Sequence, residues 1–125
     1  MVDISIIIIN YNSEDYTVNC IKSLFEHTST TLKCQYIIVD NGSTKKSYLH
    51  VKNYIDSIAK EHPVTLVRSN INTGFGGGNM LGVQHAKGQY LAFVNNDTVL
   101  ESDCLVVLKK FMDTRPDVGV CGPQA

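Results

Sequence analysis

The sequence predicts an α/β domain of three layers, α/β/α, around a mainly parallel sheet, and two observations predict it. Apolar runs alternate with amphipathic stretches from end to end, the order of a strand–helix repeat. The apolar runs are nearly continuous and rich in β-branched residues, as strands buried on both faces must be.

Ile4 to Tyr11 is the first such run. Ser13 then stands where it can cap a helix, with Glu14 and Asp15 in the first turn, where acidic groups favour the helix dipole. Thr17, Cys20, Ile21, Leu24 and Phe25 follow the helical period and give that helix one buried stripe. Tyr36 to Val39 is a second strand, broken by Asp40-Asn41-Gly42-Ser43, and Tyr48, Val51, Ile55, Ile58 and Ala59 mark a second helix that Pro63 ends. Val64 to Val67 is a short third strand. A polar, glycine-rich loop is expected from Ser69 to Gly78. A short helix follows over Asn79 to Ala86, with Gly88 closing it in a left-handed conformation. Tyr90 to Val94 is the fourth strand. Ser102 caps a last helix carrying Leu105, Leu108, Phe111 and Met112, and Val118 to Cys121 begins a fifth strand. No repeat, low-complexity tract or linker interrupts residues 1–125, which read as one domain.

Composition narrows the function. The chain has 125 residues, 43% of them hydrophobic and 18% charged, with a formal net charge of −1. Its mean hydropathy is −0.04. The longest basic runs are the pairs Lys45-Lys46 and Lys109-Lys110, so nucleic acid is not an expected partner. Four scattered cysteines form no CxxC and read as reduced thiols of a cytoplasmic protein. The run Ile6 to Ile9 is too short for a membrane span or a signal peptide. A cytoplasmic location is expected, with association of a longer protein with the inner face of the membrane left open. His27, His50, His62 and His85 lack metal-ligand spacing and read as surface imidazoles.

In parallel sheets ligands bind beyond the carboxyl ends of the strands. Four polar clusters fall on that rim: Asn10-Tyr11-Asn12, Asp40-Asn41-Gly42-Ser43, Ser69-Asn70 and Asn95-Asn96-Asp97. Polar turns belong there in any case, and Asp40 and Asp97 taken singly read more readily as turn-forming aspartates. Two nucleotide loops are excluded. A Walker loop needs Lys and Ser or Thr after its glycines, where this chain has Asn79-Met80. A dinucleotide fingerprint needs glycines after the first strand, where Asn12-Ser13-Glu14-Asp15 stands instead. What remains is a carboxylate after strand two, able to accept from a pyrimidine imide N–H, and another after strand four, able to hold a hard divalent cation against phosphates. Tyr11 offers an aromatic face to the ring.

Together ISIIIINYN (Ile4–Asn12), YIIVDNGS (Tyr36–Ser43), NTGFGGGNMLG (Asn72–Gly82) and AKGQYLAFVNNDT (Ala86–Thr98) resemble, in order and spacing, the amino-terminal half of family 2 glycosyltransferases with the GT-A fold. The resemblance implies that Asn10, Tyr11 and Asn12 lie at the base, Tyr11 stacking on it, and that Asp40 binds its imide edge. It implies that the segment from Asn72 through Gly74 and Asn79 to Gly82 passes the pyrophosphate and ribose. Asn95, Asn96 and Asp97 occupy the DxD motif, Asn95 facing the ribose and Asp97 binding Mg²⁺ or Mn²⁺ at the diphosphate. Two departures stand out. Asn95 and Asn96 replace acidic residues, so metal binding is expected only with nucleotide present. Gly78 stands where many members carry arginine. Both are similar to the rhamnosyltransferase-like subset, so the donor is dTDP-rhamnose or another dTDP-sugar, or else a UDP-sugar.

The family's reaction inverts the anomeric centre and needs a general base, typically a carboxylate, that no residue here matches. Glu101 and Asp103 belong to a helix start, so the base is expected beyond Ala125, with the part that binds a saccharide or lipid-linked acceptor of cell-surface polysaccharide synthesis. The chain then reads as a truncation that binds donor without turnover. Its exposed sheet edge leaves self-association open. Two rivals share the fold: a non-catalytic nucleotide-binding module, and a sugar nucleotidyltransferase, which the acidic Asn12–Asp15 turn disfavours.

Overall fold

A computed structural model describes residues 1–115, 117 and 119. Four strands and four helices alternate: β1 (Ile4–Asn10), α1 (Glu14–His27), β2 (Cys34–Asn41), α2 (Lys45–Ile58), β3 (Thr65–Ser69), α3 (Gly74–Val83), β4 (Tyr90–Val94) and α4 (Cys104–Thr114). The sheet runs β3-β2-β1-β4 with every pairing parallel. The expected fifth strand, Val118 to Cys121, falls outside the described residues.

β1 and β2 are the inner strands, and their continuous apolar runs follow from that position. Ile4, Ile6 and Ile8 point with Ile38 to a core closed by Cys20, Ile21 and Leu24 of α1, Val51 and Ile55 of α2, and Leu105 of α4. Ile7, Ile37 and Val39 point the other way, against Leu81 and Val83 of α3. Ile6, Ile7 and Ile8 are wholly buried, each contributing about 1.5–3 kcal/mol by leaving water. Among the described residues, the helix of the third layer is α3. Its glycines let it sit close: a Cβ on Gly82 would meet Ile7 Cγ2 at 2.6 Å, and one on Gly78 would meet Ile9 Cδ1 at 2.9 Å. Gly78 therefore serves packing here.

The structure departs from the expectations at several places. β2 continues through Asp40 and Asn41, and β3 continues through Ser69, so these polar residues belong to strands rather than turns. The stretch read as a glycine-rich loop is helical from Gly74, because packing on β1 and β2 outweighs the poor helix propensity of glycine. Gly88 is not left-handed; the left-handed glycines among the described residues are Gly42 and Gly74. Gly88 is required by close approach instead, since a Cβ there would lie 2.5 Å from Ser5 N. The N-cap position of α4 is Asp103, not Ser102, and neither it nor Ser13 at the N-cap of α1 makes a side-chain capping bond. On β4, Leu91 and Phe93 remain 43% and 51% exposed, which leaves one face of that strand uncovered.

Candidate functional site

A cleft of about 340 Å³ opens at the carboxyl ends of β1 and β4, lined by Ile9, Tyr11, Ser13, Phe75, Val94, Asn95, Asn96 and Asp97. Its position follows from topology, since β1 and β4 are neighbours at the point where the strand order reverses. One wall is aromatic: Tyr11 and Phe75 are 48% and 61% exposed. The other wall is the turn after β4, where Thr98 N donates to Asn95 O at 3.0 Å. Asn95 and Asp97 are exposed there, and Asn96 is half-buried. A larger groove of about 720 Å³ between β4 and α4 is lined mainly by apolar side chains and lacks converging charged groups.

Beneath the cleft lies a buried polar network. The register sets Asn10 opposite Asp40 and Asp40 opposite Arg68. Asn10 Nδ2 donates to Asp40 Oδ1 at 3.0 Å and lies 3.2 Å from both Ser43 Oγ and Ser47 Oγ. Asn10 Oδ1 accepts from Thr17 Oγ1 at 2.6 Å. Asp40 Oδ2 accepts from Ser43 N at 3.3 Å and faces Arg68 Nε at 3.6 Å. Arg68 also lies over the Tyr48 ring at 4.2 Å. Asn10, Thr17 and Asp40 are all wholly buried. Burial of so many polar groups is tolerable because each has a partner.

The ten residues expected to meet nucleotide therefore divide. Tyr11, Asn95, Asn96 and Asp97 share the cleft. Asn10 and Asp40 are buried behind it, and Asn12 is exposed in the turn after β1. Asn12 is left-handed at φ 50°, a conformation asparagine tolerates, and its Oδ1 accepts from Thr44 N at 2.8 Å. That turn leaves the Tyr11 ring outward. The carboxylate of Asp40 differs most from its expected role at the base edge: it is wholly buried, bound on both oxygens, and absent from the cleft lining. Its place inside β2, not in the following turn, is the reason. Asn72 and Gly74 shape the entry to α3, where Gly74 N donates to Asn72 Oδ1 at 2.8 Å. Asn79 lies on α3 and does not line the cleft.

Among the described residues no three of His, Cys, Asp and Glu gather as a metal site. The donors present are the Asp97 carboxylate and the amide oxygen chemistry of Asn95, hard oxygen ligands that fit Mg²⁺ or Mn²⁺ only if phosphate and water complete the shell.

Residues 5–125 match the family model for glycosyl transferase family 2. The chain belongs to that family. This family 2 glycosyltransferase chain is 32% identical over 109 residues to a glycosyltransferase of Haemophilus influenzae, an overlap covering 87% of the chain and 42% of that relative. It is 34% identical over 104 residues to a poly(ribitol-phosphate) beta-glucosyltransferase of Bacillus spizizenii, covering 82% of the chain and 16% of the relative. The chain thus spans less than half the length of these relatives. Its fold is that of GT-A glycosyltransferases. S. aureus TarS, solved in complex with UDP, superposes with a TM-score of 0.77 at 20% identity, over 98% of this chain and 38% of that one. A mannosyltransferase from Pyrobaculum calidifontis in complex with GDP-Man and Mn²⁺ gives 0.72 at 20%, over 85% and 31%.

Sequence reasoning passed over Phe75, Ser13 and Thr17 as site residues of this glycosyltransferase chain. Phe75 was hidden among glycines, though an aromatic in a polar loop is itself a signal. Ser13 at the N-cap of α1 and Thr17 in its first turn both turn toward Asn96. Asn41 was also passed over: its side chain receives Thr73 N and donates to Gly74 O at 2.9 Å, tying β2 to the start of α3. No helix among the described residues is long and apolar enough to cross a membrane.

Proposed function

We propose that the chain is the donor-binding part of an inverting glycosyltransferase that uses a pyrimidine nucleoside-diphosphate sugar, dTDP- or UDP-linked. The observation that carries this is the cleft in which exposed Tyr11 and Phe75 face exposed Asp97. A planar ring stacks on the aromatic wall, with stacking worth about 1–3 kcal/mol per base. The diphosphate extends toward Asn95 and Asp97. Asp40 and Asn10 support the base end by holding the tip of β1 beneath Tyr11. Asn72, Gly74 and Asn79 belong to the segment alongside the donor, with Asn12 setting the turn between.

Asp97, with phosphate oxygens, would hold Mg²⁺ or Mn²⁺, which when bound supplies Lewis-acid stabilisation of the leaving diphosphate. The chain's own residues bind and orient the donor. Proton removal from the acceptor hydroxyl belongs to a carboxylate beyond Ala125, in the part that binds a saccharide or lipid-linked acceptor. Without that part the chain binds donor and does not turn it over. The uncovered Leu91 and Phe93 on β4 favour packing against such a part or against a second copy. A dTDP-6-deoxysugar of the rhamnose class suits the uncharged Asn95 and Asn96, since a deoxyribose asks less of the first DxD position. The assignment agrees with a cytoplasmic supply of nucleotide sugars and with work at the inner membrane face.

Calorimetric titration with UDP, dTDP and their sugars, with and without Mn²⁺, tests the reading. Saturable binding that Mn²⁺ strengthens is expected, and binding of neither nucleotide under either condition would sink it. Displacement by UDP but not dTDP would reject the dTDP donor.

A further inference from the structure

We infer that the buried carboxylate of Asp40 orients the turn carrying Asp97, acting across β1 through Asn10 and Thr17 on Asn96, which makes these four positioning residues. The inference rests on the donor-site reading above for its purpose, and on hydrogen-bond direction for its argument. Asp40, paired through Oδ2 with Arg68, accepts at Oδ1 a hydrogen bond from the nitrogen side of the Asn10 amide, 3.0 Å away. The amide is then fixed with its oxygen toward α1. That oxygen only accepts, so the Thr17 hydroxyl spends its single hydrogen there, at 2.6 Å. A longer alternative acceptor, Ser13 O at 3.2 Å, lies on the helix itself. With its proton committed, Thr17 Oγ1 has only lone pairs left for Asn96, whose Nδ2 stands 3.2 Å away. The same Nδ2 also donates to Ser13 Oγ.

Every bond in this chain runs one way, from the turn after β4 into the carboxylate between β1 and β2. Aligned bonds of this kind polarise one another, and more so where water is excluded. The consequence falls on the cleft. Asn96 spends its amide nitrogen on α1 and anchors the turn, while its neighbours Asn95 and Asp97 stay exposed in the cleft. An aspartate in place of Asn96 would have no hydrogen to give Thr17, so asparagine at this position is a requirement of the anchor.

The test is ¹⁵N relaxation of the amides of Asn95, Asn96 and Asp97, with no ligand present, in the wild type, Thr17→Val and Thr17→Ser. Order parameters near about 0.85 in the wild type should fall below about 0.6 in Thr17→Val and return in Thr17→Ser. Asn96→Ala, half-buried at the surface, supplies the same comparison should Thr17→Val fail to fold. In calorimetry the Mn²⁺-dependent gain in UDP affinity should drop about tenfold in Thr17→Val and Asn96→Ala, the size of effect seen when supports of a metal ligand are removed. Unchanged order in both variants overturns the inference. A turn that loosens as expected in a protein that binds no nucleotide would uphold the anchor and overturn the donor-site reading instead.

Discussion

Asn10 and Asp40 sit directly opposite one another at the carboxyl ends of β1 and β2, wholly buried, with Asn10 Nδ2 donating to Asp40 Oδ1 at 3.0 Å. A strand tip normally spends its polar groups on water. Here they are spent inward, on a network that also takes in Thr17, Ser43 and Ser47, and that network supports the floor of the cleft. Removing its centre should be costly. Asn10→Ala leaves a buried carboxylate and three hydroxyls short of a partner, and should lower stability by about 3 kcal/mol in urea unfolding.

The turn between β2 and α2 depends on Gly42. It has φ +78°, and a Cβ there would lie 2.5 Å from the backbone at Ile71 and Asn72. Gly74 has nearly the same φ, +79°, with nothing within 4 Å. Gly42→Ala should therefore cost well over the about 1–2 kcal/mol of left-handed strain that Gly74→Ala incurs, because only the first adds a clash with backbone. Thermal unfolding of the two variants decides it.

Tyr11 is expected to stack on the nucleobase. Tyr11→Ala should weaken UDP or dTDP binding about tenfold, and Tyr11→Phe should bind nearly as the wild type does, because the ring face supplies the stacking free energy. Equal affinity of Tyr11→Ala and wild type in calorimetry would remove Tyr11 from the site.

Alkaline pH should destabilise the fold. Burial, with a contribution from the charge of Asp97, pushes the Cys20 thiol up to about 12. Burial likewise pushes Cys34 up to about 11 and raises Tyr36. These acids hold their protons longer in the folded state than in the unfolded chain, where a thiol ionises near about 8.5. The folded state therefore binds more protons above that pH, and stability falls as pH rises. Urea midpoints should be level up to about pH 8 and decline toward pH 11, and Cys20→Ala should decline less steeply.

Much of this fold was legible because the inner strands announce themselves. Ile6 to Ile9 is apolar without a break because both faces of β1 are covered, and Ile37 to Val39 repeats the pattern in β2. α3 was read as loop over its first five residues, since local propensity argues against Gly74-Phe75-Gly76-Gly77-Gly78 as helix. Its reason for being helical lies in Ile7, Ile9 and Asn41, residues distant in sequence that Gly78 and Gly82 let it approach. Asp40 was read as a ligand because the family resemblance sets it at the base, and Asp-Asn-Gly looks like a turn beyond the strand. Only the register, which pairs it with Asn10 and Arg68, puts it inside the sheet. The placement of Tyr11 and Asp97 on the rim was legible because each follows the end of a strand, and both line the cleft.

The central claim is that one pyrimidine diphosphate lies between Tyr11 and Asp97, and paramagnetic broadening tests it most directly. Small amounts of Mn²⁺ added to protein saturated with UDP should erase the amide resonances of Asn95, Asn96 and Asp97 first, with Ser13 and Phe75 next and Ala59 unaffected. Broadening centred elsewhere, or the same weak pattern with and without UDP, would contradict the account.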